Sequence, residues 1–189
     1  KKIFMFLDLK SSTTLAEKLD PYSYSKVLQE FFNDITDPVI NCSGEIYQYV
    51  GDEVVLMWDI NKGLDNNNCL NCFYMIQEKV NERKNTYINE FGFVPQFKAG
   101  VHIGEAIVTE VGELKKGIVY HGDVLNTASR IQSECNRLNA SLLISGELAA
   151  VLNKSKNIVI RSEGQILLKG KENEVELFSV IFPGNNLVL

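Results

Sequence analysis

The stretch Gly44-Glu45-Ile46-Tyr47-Gln48-Tyr49-Val50-Gly51-Asp52-Glu53-Val54-Val55-Leu56-Met57-Trp58 constrains the fold more than any other part of this chain. Apolar and aromatic residues run up to Val50, Gly51-Asp52 supplies a two-residue hairpin loop, and a β-branched run leads away. The pattern reads as strand, tight turn, strand. The turn sets the carboxylate of Asp52 at the hairpin tip, where a ligand can reach it. A second acid, Asp8, closes the apolar run Phe4-Met5-Phe6-Leu7. Two acids delivered by the ends of buried strands point to a metal site that handles phosphate.

The chain has 189 residues, enough for one domain with its own core. No apolar run is long enough to span a bilayer, and nothing reads as a signal peptide. Because Lys1-Lys2 lead straight into a strand, the expectation is a cytoplasmic domain of a longer protein, with sensor or membrane segments outside these residues. The net charge of −5 and the lack of a long basic run argue against nucleic acid as a partner. An acidic chain that binds polyphosphate must rely on metal ions and a few placed cations. Cys69 and Cys72 have C-x-x-C spacing, but no second pair accompanies them and they fall in an apolar helical pattern with Phe73 and Ile76. The four cysteines are therefore read as buried free thiols.

In chain order, Ser11-Ser12-Thr13-Thr14 precede a helical pattern, and on local sequence capping and phosphate binding are equally good readings. Tyr22 to Ile35 has helical spacing, with Asp37-Pro38 ending or kinking it. Cys69 to Phe91 reads as one long helix. Phe97 to His102 and Ala106 to Val108 read as paired strands turning near Gly104-Glu105, with Lys98 a cation inside a strand pattern. After Ile118 to Tyr120, Asp123 is placed as a helix cap. The following helix carries Asn126 and Arg130 four residues apart on one face, a pairing that suits phosphate or is simply a polar surface. Strands follow at Ser141 to Ile144, Asn157 to Arg161, Gln165 to Leu168 and Val175 to Ile181. The expected architecture is an α+β ferredoxin-like sandwich, helices on one face of a mostly antiparallel sheet. Residues 1–182 are taken as the domain and 183–189 as a linker stub.

Five stretches together resemble the catalytic domain of class III nucleotidyl cyclases: Phe6-Leu7-Asp8-Leu9-Lys10-Ser11-Ser12-Thr13, Tyr49-Val50-Gly51-Asp52-Glu53, Lys98-Ala99-Gly100-Val101-His102-Ile103-Gly104, Gly122-Asp123-Val124-Leu125-Asn126-Thr127-Ala128-Ser129-Arg130, and Leu168-Lys169-Gly170-Lys171. The resemblance implies a head-to-tail homodimer with active sites shared between subunits. It implies that Asp8, Asp52 and the backbone carbonyl of Leu9 hold two divalent cations, Mg or Mn. It further implies that Ser11, Ser12, Thr13 and Lys98 contact the triphosphate, and that the other subunit contributes Asn126 to the ribose, Arg130 to the transition state and Lys169 to the terminal phosphate.

The positions that read the base in this family are Gln48, four residues before Asp52, and Val119, seven before Asn126. Neither matches the usual adenylyl or guanylyl pattern. Gln48 can donate and accept, whereas Val119 can only pack. The expected reaction is conversion of ATP to cyclic AMP and pyrophosphate, with GTP or a pyrimidine triphosphate as alternatives. A catalytically weak cyclase-like dimer predicts loss of a metal acid or of Arg130, and all are present. A diguanylate cyclase predicts Gly and Phe where Val50 and Val54 stand. An interaction module with purely structural acids gives no reason for Lys98, Arg130 and Lys169.

Overall fold

The computed structural model describes residues 1–113, 116–153, 155 and 157–183. Residues 184–189 of the expected linker stub lie outside them. The central strand is β1 (Lys2–Leu9), flanked antiparallel by β3 (Glu53–Asp59) and β4 (Phe97–Gly104). With β2 (Glu45–Val50), β7 (Leu142–Ser145), β8 (Val159–Ile166) and β9 (Val175–Ile181) they form a seven-stranded sheet in the order β2-β3-β1-β4-β7-β9-β8. Only the β4–β7 pairing is parallel.

Alternation along β1 explains the layers. Ile3, Met5, Leu7 and Leu9 join the main core with α2 (Pro21–Asn41) and α4 (Asn68–Glu82), whereas Phe4 and Phe6 face the opposite side. There they meet Val124 and Ala128 of α6 (Asp123–Glu134). Helices thus pack on both faces, not on one as expected. Gly100 of β4 makes this possible: a Cβ at that position would lie 2.2 Å from the Gln132 backbone nitrogen and 2.5 Å from the Ala128 carbonyl oxygen. The missing side chain lets α6 lie against the sheet.

Several local readings are corrected. The helix α2 begins with Asp20 accepting from the backbone N–H groups of Tyr22 and Ser23, and it continues through Pro38, which is buried with Val39. The expected helix from Cys69 to Phe91 is two, α4 and α5 (Lys84–Phe91), broken at Arg83. That residue turns inward to a buried acid: its guanidinium donates to Asp34 at 2.6 Å and Glu30 at 2.9 Å, and the Tyr87 hydroxyl donates to Asp34 at 2.7 Å. Two shorter helices complete the set before the site elements: α1 (Ser12–Lys18) and α3 (Ile60–Leu64), with α7 (Gly146–Ala149) following β7.

The strand predicted to pair with β4 does not. β5 (Ile107–Val111) pairs instead with β6 (Gly117–His121) in a separate ribbon. The ribbon is anchored where the Tyr120 backbone N–H donates to the Tyr47 hydroxyl at 3.2 Å and the Tyr120 ring stands edge-on to Phe4. The cap of α6 is Gly122, with Asp123 the first helical residue. The two strands expected at 157–161 and 165–168 are one, β8, with an irregularity between Ser162 and Gly164. The four cysteines are buried free thiols, as the sequence indicates.

Candidate active site

The hairpin forms as the sequence requires. Gly51 sits at φ +62 with open space around it, so the turn selects glycine for its backbone freedom. Register sets Asp8 opposite Glu53 on one side and Lys98 on the other. Side-chain parity then puts Asp8 and Lys98 on the α6 face, while Leu9 and Phe97 point into the main core.

Asp8 and Asp52 stand within hydrogen-bonding reach of each other. Two carboxylates this close resist being ionised together unless a cation lies between them, so in its absence one of the pair tends to keep a proton. Burial first, then Asp52, pushes Asp8 up to about 6, despite Lys98 and Gln132. Against the upward push of burial, hydrogen bonds from Ser12 and Asp8 hold Asp52 below the usual carboxylate range. Burial and the charges of Asp8 and Asp52 likewise push Glu53 up to about 7. Lys98, 9% exposed, brings its Nζ to 3.5 Å from Asp8 Oδ2. It compensates only part of this negative charge.

A residue the sequence reading missed completes the arrangement. The Gln132 amide donates to Asp8 Oδ2 at 2.8 Å from a position 5% exposed on α6. The signal available in sequence was its place two residues beyond Arg130, on the helix side that packs inward. Two residues turn a helix by about 200°, so Gln132 faces Asp8 while Arg130 faces away. Asn126 is exposed on the outer side of the same helix. Arg130 lies beside the Lys169-Gly170-Lys171 turn: a Cβ on Gly170 would be 3.4 Å from the guanidinium.

The predicted residues thus fall into two groups. Asp8, Asp52, Ser12 and Lys98 gather at one end of the sheet, over Gln132. Asn126 and Arg130 gather with the Lys169 turn on the outer side of α6. Ser11 has a left-handed backbone (φ 59) and makes no side-chain cap to α1, which removes the capping reading of the hydroxyl cluster. Ser12 instead hydrogen-bonds Asp52 through its side chain, and Thr13 is exposed. Gln48 is exposed on edge strand β2, next to the irregularity in the β2–β3 pairing, and Val119 lies half-buried on β6. Their chain neighbours Tyr47 and Tyr120 touch.

The donor set fits a hard divalent cation. The acids offer only oxygen, they crowd one another, and one nearby ammonium does not neutralise them. Among the described residues no group of three or more His, Cys, Asp or Glu has metal-holding geometry. Backbone carbonyls, water or a bound ligand's oxygens must therefore supply the remaining ligands of any ion held here.

The chain belongs to the adenylate and guanylate cyclase catalytic domain family, which it matches over residues 3–181. It is 30% identical over 180 residues to adenylate cyclase 2 of Rhizobium meliloti (strain 1021), covering 95% of this chain and 50% of that protein. It is 29% identical to adenylate cyclase 1 of the same organism, covering 94% of this chain and 27% of the relative. The chain thus spans half or less of these curated relatives. In fold it is similar to the crystal structure of the adenylyl cyclase CyaB from P. aeruginosa (TM-score 0.79, 21% identity, 98% of this chain and 96% of that one). It is also similar to that of a guanylyl cyclase (TM-score 0.82, 20% identity, 100% and 96%). Among the described residues no helix is long and apolar enough to cross a membrane.

Proposed function

We propose that residues 1–182 form a catalytic unit that converts ATP to 3′,5′-cyclic AMP and pyrophosphate, at sites shared between two copies of the chain. The observation that carries the reading is the Asp8–Asp52 pair, two carboxylates pressed together at the sheet end with incomplete compensation from Lys98. The first two curated relatives described above bear the name adenylate cyclase, which favours ATP. GTP is the alternative, because the amide of Gln48 can present either a donor or an acceptor to a purine edge.

In this reading Asp8, Asp52 and the Leu9 carbonyl hold two divalent cations, Mg or Mn, which when bound acidify the 3′-hydroxyl and stabilise the leaving pyrophosphate. The protein residues do the remaining work. Gln132 and Lys98 both engage Oδ2 of Asp8 and so leave its other oxygen to a cation. The amides after Ser11, with Lys98, receive phosphate oxygens. The 3′-oxygen forms its bond to the α-phosphorus as the bond to pyrophosphate breaks, and the hydroxyl proton leaves to solvent. Arg130 of the other copy meets the charge that builds on the α-phosphate, its Asn126 orients the ribose and its Lys169 holds the terminal phosphate.

The split between the two residue groups supports shared sites: on one chain, Arg130 turns away from Asp8. The β5–β6 ribbon, with Ile107 70% and Ile118 64% exposed, offers apolar surface for a second copy. The ATP supply and four free thiols fit a cytoplasmic location.

Incubation with each of the four nucleoside triphosphates and Mn²⁺, with products identified by mass spectrometry, tests the activity. Cyclic AMP is expected in excess; no cyclic product from any nucleotide, in a protein confirmed as a dimer, overturns the reading. Mixing Asp52→Ala with Arg130→Ala chains tests the shared sites. Partial recovery is expected, since one site of each mixed dimer is intact, and activity no higher than either variant alone contradicts it.

A further inference from the structure

A cavity of about 820 Å³ opens around the end of the sheet, lined by residues from both of its faces. Its floor is apolar: Phe73 and Val80 from α4, Phe97 from β4, Val180 from β9 and Phe182 just beyond it, each less than 9% exposed. Its rim is cationic. Lys10, Lys84 and Arg161 line it, against one acid, Glu163, which accepts from the Ser179 hydroxyl at 2.6 Å. Among the described residues none of the three cations is ion-paired.

That concentration runs against the chain as a whole, whose net charge is −5. Unpaired cations around an apolar hollow set a local field that attracts anions. The volume falls within the ~300–1,000 Å³ common for small-molecule sites. A neutral apolar molecule would leave the rim unanswered and a bare anion would leave the floor wet. An apolar body with one acid group answers both.

The cavity also touches the proposed site through the backbone. Lys10 follows Leu9 and precedes Ser11, whose backbone is left-handed. Its Nζ donates to Ser141 Oγ at 3.1 Å and its backbone N–H to the Gln96 carbonyl at 2.8 Å, and both partners line the cavity. An acid group that draws the Lys10 ammonium away from Ser141 acts on the turn leading into Ser12, which holds Asp52.

We propose that this cavity binds an amphipathic organic carboxylate, its apolar body on the Phe73–Phe97–Val180 floor and its acid among Lys10, Lys84 and Arg161, and that occupancy shifts the Ser11–Ser12 turn. The regulatory consequence rests on the cyclase reading; the binding does not, so the two fail separately. The test uses the full chain and two probes with the same tail and opposite heads, decanoate and decyltrimethylammonium, by calorimetry below their micellar concentrations. Saturable decanoate binding, one per chain, is expected, with the cationic probe at least tenfold weaker. The double variant Lys84→Glu/Arg161→Glu, on exposed side chains, is expected to weaken decanoate at least tenfold with an unchanged circular dichroism spectrum. No saturable binding, equal binding of both heads, or binding indifferent to the charge reversal overturns the site. In parallel, the Ser11 and Ser12 backbone amide resonances are expected to move as decanoate is added; resonances that stay fixed at saturation overturn the link to the turn.

Discussion

Asp34 and Asp8 are both acids turned inward from regular elements, and their surroundings treat them in opposite ways. Asp34, 4% exposed, receives a guanidinium at one oxygen and a phenol at the other. Both oxygens are satisfied, and Arg83 continues to Glu30. Asp8 has an amide and a distant ammonium on a single oxygen, and it faces a second acid. The ring hydroxyl of Tyr87 is pushed above its usual value by burial and by Asp34, so it stays a donor. Asp8 is itself pushed up to about 6, first by burial and then by Asp52, with only partial relief from Lys98 and Gln132. One arrangement is closed and serves the fold; the other leaves acidic charge only partly compensated, which is what the proposed cation-binding role calls for.

This contrast predicts opposite responses to the same kind of change. The largest effect belongs to catalysis. Asp8→Ala or Asp52→Ala is expected to lower cyclic nucleotide formation more than ~100-fold, with Asp8→Asn leaving metal-free stability unchanged or improved, as read by denaturant unfolding. Asp34→Asn is expected to do the reverse: a loss of about 2–3 kcal/mol of stability with the metal response retained, because removal of one partner leaves Arg83 and Tyr87 poorly paired. Equal destabilisation at both acids would erase the distinction.

Next comes the helix that supports the open site. Gly100→Ala drives a methyl into the backbone of α6, at distances no flexible side chain can relieve. The expected cost is about 2–3 kcal/mol, measured as a lower unfolding midpoint. Gln132→Leu keeps the packing and removes the donor to Asp8. A metal affinity roughly tenfold weaker is expected, the range seen when an outer hydrogen bond to a ligand is lost, with the midpoint little changed.

The smallest effect lies away from both acids. His102 is held below its ordinary value, chiefly by burial and further by Lys171, against Glu147 and Asp123. Its ring shares a 2.7 Å hydrogen bond with Ser145 and stands 4.0 Å from Glu147. The fold therefore keeps His102 neutral. The unfolded chain takes up the proton first, near 6.5, so this contribution is present above that pH and is lost as pH falls through the folded value. His102→Gln is expected to flatten the stability–pH curve below about pH 6.5, by under ~1 kcal/mol.

Much of the open site was legible in the chain, because strand-end acids and a Gly-Asp turn are local patterns. The hairpin, β1 with Asp8 at its end, and the helix carrying Asn126 and Arg130 all follow from periodicity and turn chemistry. What local pattern does not carry is pairing. β5 reads as the hairpin partner of β4 until β6 claims it. The break at Arg83 depends on Asp34, 49 residues away. Gln132 carries no motif, and its role appears only when Gly100 lets α6 approach the sheet. The placement of α6 on the second face has the same cause.

The most direct test of the contrast is a Mn²⁺ titration followed by the thermal midpoint of three proteins: wild type, Asp8→Asn and Asp34→Asn. The midpoint of the wild type is expected to climb with Mn²⁺. Asp34→Asn should start lower and climb by the same amount, while Asp8→Asn should start at or above wild type and stay flat. A rise that survives in Asp8→Asn would contradict the assignment of this acid as the one held open for a metal.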